Sequence, residues 1–120
     1  MNYEEMSDFE ISCDVASIIY GVDKSEMKEL TYANKKSAPV WENSLDGLKS
    51  FDINNPLDAW PIITENMISI EFDGEDKCDE PASWVNAKSF LTDDVCLYQS
   101  NPLRAAMICF LKMKDAECKN

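Results

Sequence analysis

Apolar residues recur at Ile11, Val15, Ile18 and Ile19, at spacings of four, three and one that line one side of a helix. Ser7 stands before them as an N-cap, and Glu10 three places later completes a capping box. Asp8 and Glu10 also suit the positive end of the helix dipole. Gly21 supplies a natural stop. The pattern predicts a helix over residues 8–20.

Beyond it the pattern weakens. Residues 22–30 read either as a short helix or as a charged connection. Over 31–55, Tyr32, Val40, Trp41, Leu48, Phe51 and Ile53 are scattered among Asn, Ser, Lys and Asp. That predicts a long irregular excursion with a short strand near 38–42, and long loops of this kind often carry function. Asn54-Asn55-Pro56 then reads as a helix start, with an Asn cap and Pro at the first helical position. Leu57, Trp60, Ile63 and Met67 follow at helical spacing, while Pro61 either kinks this segment or restarts it.

Ile68-Ser69-Ile70-Glu71-Phe72 alternates apolar and polar, as a half-buried strand does. A loop runs from Asp73-Gly74 to Glu80-Pro81, making a hairpin with a long acidic connection to a second strand over 84–90. Val95 to Tyr98 adds a third short strand. Asn101-Pro102 repeats the cap-and-proline signal. From Leu103 to Leu111 the chain is apolar nearly all round, as in a helix buried on several sides. Lys112 and Lys114 suit its C-terminal end. The expectation is an α+β fold: a small antiparallel sheet of two to four strands packed on about three helices. One domain spans residues 1–120, with a frayed tail over 115–120.

Composition narrows what such a domain can do. Apolar residues make up 45 % of the 120, enough for an ordinary core. The net charge is −12, from 23 acidic and 11 basic residues. Direct nucleic-acid binding needs basic side chains that release counterions from phosphates, and this balance argues against it. It argues equally against an anionic membrane surface. No apolar run approaches the length of about 18 residues that a membrane helix requires. Acidic surfaces keep small proteins soluble, and they also complement basic partners. A DNA mimic needs a phosphate-like row of acids, and Asp8, Glu10 and Asp14 are too few.

Histidine is absent, and the five cysteines (Cys13, Cys78, Cys96, Cys109 and Cys118) form no CxxC pair. Zinc sites favour clustered Cys and His, so no metal or other cofactor is expected. The acidic start lacks a signal-peptide pattern. Reduced thiols in a cytoplasmic protein are therefore the expectation, with Cys13 and Cys109 as small core residues. Without His the commonest general base is missing. No GxSxG, P-loop or GxGxxG motif occurs. The run Asp73-Gly74-Glu75-Asp76 lacks the spacing of a calcium loop and reads as a solvated turn.

Four residues remain as binding candidates. Trp60 and Trp84 offer flat apolar faces with one N–H each. Asn101 and Arg104 stand at a helix N-terminus, where backbone N–H groups and a guanidinium suit a phosphate or carboxylate. The alternative is that both Trp residues are core and that Arg104 pairs with a nearby acid.

Several segments recur together in one known family. They are Met6-Ser7-Asp8 through a helix ending at Gly21, Asp58-Ala59-Trp60-Pro61-Ile62-Ile63, Ile68-Ser69-Ile70, Trp84 to Ala87, and Asn101-Pro102-Leu103-Arg104-Ala105-Ala106-Met107. In this order the chain resembles the phage NinX-like family over nearly its whole length. The 25–55 stretch and the 73–82 loop fall outside the match. The resemblance implies a phage or prophage accessory protein in the cytoplasm of a bacterial host, and supplies no mechanism or functional residues. The leading expectation is a non-enzymatic interaction protein with a host or phage macromolecule as partner. The alternative is a binder of a small anion such as a nucleotide.

Overall fold

A computed structural model describes residues 2–31, 37–45, 47–75 and 82–118. Helix α1 spans Asp8–Tyr20. The Ser7 hydroxyl accepts the Glu10 N–H, the Glu10 carboxylate accepts the Ser7 N–H, and Gly21 closes the helix with φ +68°. Only part of the predicted stripe is buried. Ile11 and Val15 are fully enclosed with Ala16, whereas Ile18 and Ile19 stay more than 40 % exposed.

The ambiguous 22–30 stretch is a 3₁₀ turn at Lys24–Glu26 followed by strand β1, Lys28–Thr31. Strands β2 (Ser37–Asn43) and β3 (Gly47–Ser50) come next. They pair antiparallel in the order β1-β2-β3. The expected irregular excursion over 31–55 is therefore a sheet through most of its described length. Trp41 on β2 packs against α1, and Phe51 and Ile53 follow into the core. Tyr20 stands 5.4 Å from Trp41 and 6.3 Å from Phe51, ring to ring. Pro39 is tolerated inside a central strand because β2 there runs past the end of β3. Its carbonyl accepts the Phe51 N–H, and its missing donor breaks no ladder bond.

Helix α2 spans Pro56–Glu65 and runs unbroken through Pro61. The carbonyl that Pro61 leaves without a helical donor belongs to Leu57, on the solvent side. The buried face of α2 is Ala59, Ile62 and Ile63. Leu57, Trp60 and Met67, which the spacing grouped with Ile63, are exposed instead.

Strands β4 (Ile68–Glu75), β5 (Ala82–Ser89) and β6 (Val95–Gln99) form a second antiparallel sheet in that order. The first strand is longer than expected, so residues 73–75 are strand rather than loop. Gly74 is required there, because a Cβ would stand 2.5 Å from the Ala82 carbonyl oxygen. The rest of the predicted acidic loop, 76–81, lies outside the described residues. Helix α3 spans Pro102–Cys118, which carries the predicted final helix through most of the tail expected to fray. It packs on all three strands of this sheet and on α1 and α2. Residues 105–111 of α3 are all buried, and with Ile68, Val85, Ala87 and Cys96 they join the α1 and α2 side chains in one apolar cluster. The fold is α+β, with three helices and two three-stranded antiparallel sheets. No described helix is long and apolar enough to cross a membrane.

Candidate functional site

The four candidate residues fall in three places. Asn101 and Arg104 meet at the start of α3, where a closed set of polar contacts joins three distant segments. Arg104 Nη1 donates to Asp8 Oδ1 at 2.6 Å. Asp8 Oδ2 accepts from Asn54 Nδ2 at 3.0 Å, and Asn54 Oδ1 accepts from Asn101 Nδ2 at 2.7 Å. Asn101 Oδ1 then accepts the Leu103 and Arg104 N–H groups, capping the helix that carries Arg104. Arg104 Nη2 reaches further, to the carbonyls of Glu4 at 3.1 Å and Met6 at 2.7 Å.

The first turn of α3 thus directs its N–H groups to its own cap, and its guanidinium is engaged by one carboxylate and two carbonyls. Only 16 % of the Arg104 side chain is exposed. The seam continues along α3. Lys112 Nζ donates to Glu4 Oε1 at 2.6 Å and to the Val95 carbonyl at 3.1 Å, and the Tyr3 hydroxyl donates to Asp115. The hydrogen bond from Lys112 is the main reason the Glu4 carboxyl titrates below its ordinary range. On the far side, Ser12 Oγ accepts the Ile53 N–H and Asp58 Oδ2 accepts the Asp52 N–H, which fixes the 52–55 turn. Burial raises the pKa of Asp58 in spite of that hydrogen bond.

Trp84 lies elsewhere, on β5. Strand alternation sends Val85 and Ala87 toward α3, so Trp84 and Asn86 face outward. Asp73 is the direct cross-strand neighbour of Trp84, and Glu71 that of Asn86. The Trp84 ring packs 5.4 Å from Tyr98 on β6, which is 72 % exposed. The Trp84 Nε1 is buried and has no hydrogen-bond acceptor among the described residues, a cost of about 1–3 kcal/mol where it is left so. Tyr98 owes its position to a bulge. Val85 pairs with Gln99 and Ala87 with Cys96, so β6 carries an extra residue, and Tyr98 takes φ +60°. The buried Asn86 side chain accepts the Tyr98 N–H that the bulge removes from the ladder. Sequence reading missed Tyr98, Asn86 and Asp73 as neighbours of Trp84, because a bulge leaves no compositional mark in Val-Cys-Leu-Tyr-Gln.

Trp60 stands apart from both groups on the outer side of α2, 56 % exposed. Leu57, Pro61 and Thr64 share this side at helical spacing. At the end of the helix Met67 adopts φ +51°, a conformation that glycine or asparagine usually fills. The Phe90 N–H donates to the Met67 carbonyl at 3.0 Å, which brings Phe90 and Leu91 alongside.

A groove of about 550 Å³ opens beside α1, lined by Met6, Phe9, Cys13 and Met27, with Asp14 and Lys24 paired at 2.8 Å. None of the four candidates lines it. Burial pushes the Cys13 thiol up to about 11, the Cys96 thiol to about 11 and the Cys109 thiol to about 12, so all three stay protonated at neutral pH. Cys78 lies outside the described residues. Among the described residues no group of three or more His, Cys, Asp and Glu side chains is arranged to hold a metal ion.

Fold and seam together define a small α+β protein whose N-terminal segment is fastened to its last helix. Among its exposed aromatic rings, Tyr98 and Trp60 stand on separate surfaces. The chain belongs to the NinX family of bacteriophage P22, whose family model matches residues 2–114, and it is a phage accessory protein. No curated protein and no solved structure matches it.

Proposed function

We propose that the protein is a non-enzymatic interaction protein that binds a basic host or phage protein in the bacterial cytoplasm through the outer face of the β4-β5-β6 sheet. The observation that carries this reading is the Trp84–Tyr98 pair, set on a sheet face beside Asp73 and Glu71. Aromatic rings provide contact area at low entropic cost and attract cations to their faces. Asp73 gives a Lys or Arg of the partner a counter-charge, while Glu71 is already paired with Lys88 at 3.1 Å. The net charge of −12 adds long-range attraction, which mainly speeds encounter. The small-anion reading finds less support, since Arg104 is held by Asp8 and two carbonyls.

The test is a pull-down from phage-infected cells with the wild-type chain and with an Asp73→Lys/Tyr98→Ala variant, at low and high salt. A basic protein is expected to be retained by the wild type at low salt, reduced at high salt and lost with the variant. Repeated recovery of no partner, or of one that binds the variant equally well, would sink the reading.

A further inference from the structure

We infer that the outer face of α2, with Met67 and the Phe90-Leu91 turn, is the surface through which two copies of this chain pair. The inference is independent of the sheet face proposed above and rests on different residues.

Leu57 is 84 % exposed, Trp60 56 %, Met67 49 %, Phe90 77 % and Leu91 56 %. Large apolar side chains in that state leave on the order of 600 Å² of apolar surface in water, at the upper end of what a monomer usually shows. A standard interface takes about 800 Å² from each partner, so this face provides most of what a pair requires.

Charge selects the occupant. Two copies each carrying −12 repel wherever acids face each other. On the second sheet, Asp73 stands beside the aromatic pair, next to the Glu71–Lys88 ion pair, and favours a basic partner over a second copy. On α2 the exposed side presents Leu57, Trp60, Pro61 and Thr64, while Asp58 is half-buried and accepts the Asp52 N–H. Glu65 and, beyond the Phe90-Leu91 turn, Asp93 are the exposed acids at its edges. The centre of this face carries no carboxylate, so two like-charged copies meet there on apolar side chains with their acids at the rim, and a helix face repeated about a two-fold axis is self-complementary. The Met67 backbone points the same way. A bulky apolar side chain is kept exposed in a left-handed conformation that costs energy, and such strain concentrates where surfaces function.

The experiment is sedimentation equilibrium of the full chain over a range of concentration and salt. At high micromolar concentration the mass should approach twice the 13.6 kDa chain mass, and fall on dilution. Added salt should strengthen the pair by screening like charges, the opposite of its effect on a basic partner. Trp60→Glu and, separately, Phe90→Glu should each give the chain mass with unchanged circular dichroism. Leu45→Glu, at a position 91 % exposed on another part of the surface, should leave the pair intact. A wild-type chain mass at every concentration and salt overturns the inference. So does a pair that survives in the Trp60→Glu/Phe90→Glu double variant.

Discussion

Arg104 and Asp8 are 96 residues apart in the chain, yet the guanidinium of one lies 2.6 Å from the carboxylate of the other. The two contributions are unequal. Asp8 is 46 % exposed on its side chain, so the ion pair alone is worth little. Arg104 also satisfies the Glu4 and Met6 carbonyls, which lose their donor when it is removed. Arg104→Ala should therefore cost about 2–3 kcal/mol, and Asp8→Ala about 1 kcal/mol. Urea unfolding of the two variants checks the order, and equal losses would show that the carbonyl contacts do not matter.

Acid should loosen the same seam. The Glu4 pKa is held below its ordinary value of 4.5, chiefly by the Lys112 hydrogen bond. A carboxyl with a depressed folded pKa adds stability above its unfolded pKa and loses it as pH falls through the folded value. Glu4→Gln should thus weaken the protein near neutral pH and matter little in strong acid. Asp58 has the opposite sign, since burial raises its folded pKa. Asp58→Asn keeps an acceptor for the Asp52 N–H and should be neutral to slightly stabilising near neutral pH. Urea midpoints across the acid range read both effects.

Met67 holds a left-handed conformation without being glycine. Replacing it with Gly relieves that strain at the cost of chain entropy, for a net gain of about 0.5–1 kcal/mol. The same change removes an apolar side chain from the α2 face. Met67→Gly should raise the thermal midpoint and weaken self-association together, a combination that general destabilisation cannot produce.

The three tryptophans should separate by fluorescence. Trp41 is 3 % exposed and Trp60 is 56 % exposed. An aqueous quencher such as iodide should act first on Trp60, and Trp60→Phe should remove the most quenchable part of the emission. Dilution in the range where copies dissociate should increase quenching of the wild type.

The buried thiols make a further prediction. Cys96 and Cys109 are fully buried with strongly raised pKa values. Both should resist maleimide in the folded protein and react in urea, as peptide mapping would register. Labelling of either at the rate of a free thiol would contradict the packing.

The helices were legible because their signals are local. Ser7 with Glu10, Asn55-Pro56 and Asn101-Pro102 each act within a few residues and mark true starts. Of the first sheet, β2 alone was legible, as the short strand expected near 38–42. All four residues of β1 are exposed and β3 is short, so no alternation announced the strands on either side of β2. Their pairing depends on contacts with α1 and the 51–53 segment. On α2 the apolar residues exceed what one face can bury, so spacing did not reveal whether Trp60 or Ile62 pointed inward. At the candidate site, Asn101 was legible as a cap. Its link through Asn54 and Asp8 back to Arg104 joins residues far apart in the chain, which no single-sequence pattern displays.

The seam also sets an order of events. Tyr3, Glu4 and Asp8 find their partners on the last helix, at Asp115, Lys112 and Arg104. A growing polypeptide holds α1 long before it holds those partners. The N-terminal strap must wait undocked until α3 has cleared the ribosome, so the native body locks only after synthesis has passed that helix. A product cut short before residue 104 lacks both that bolt and the buried 105–111 face against which the earlier elements pack.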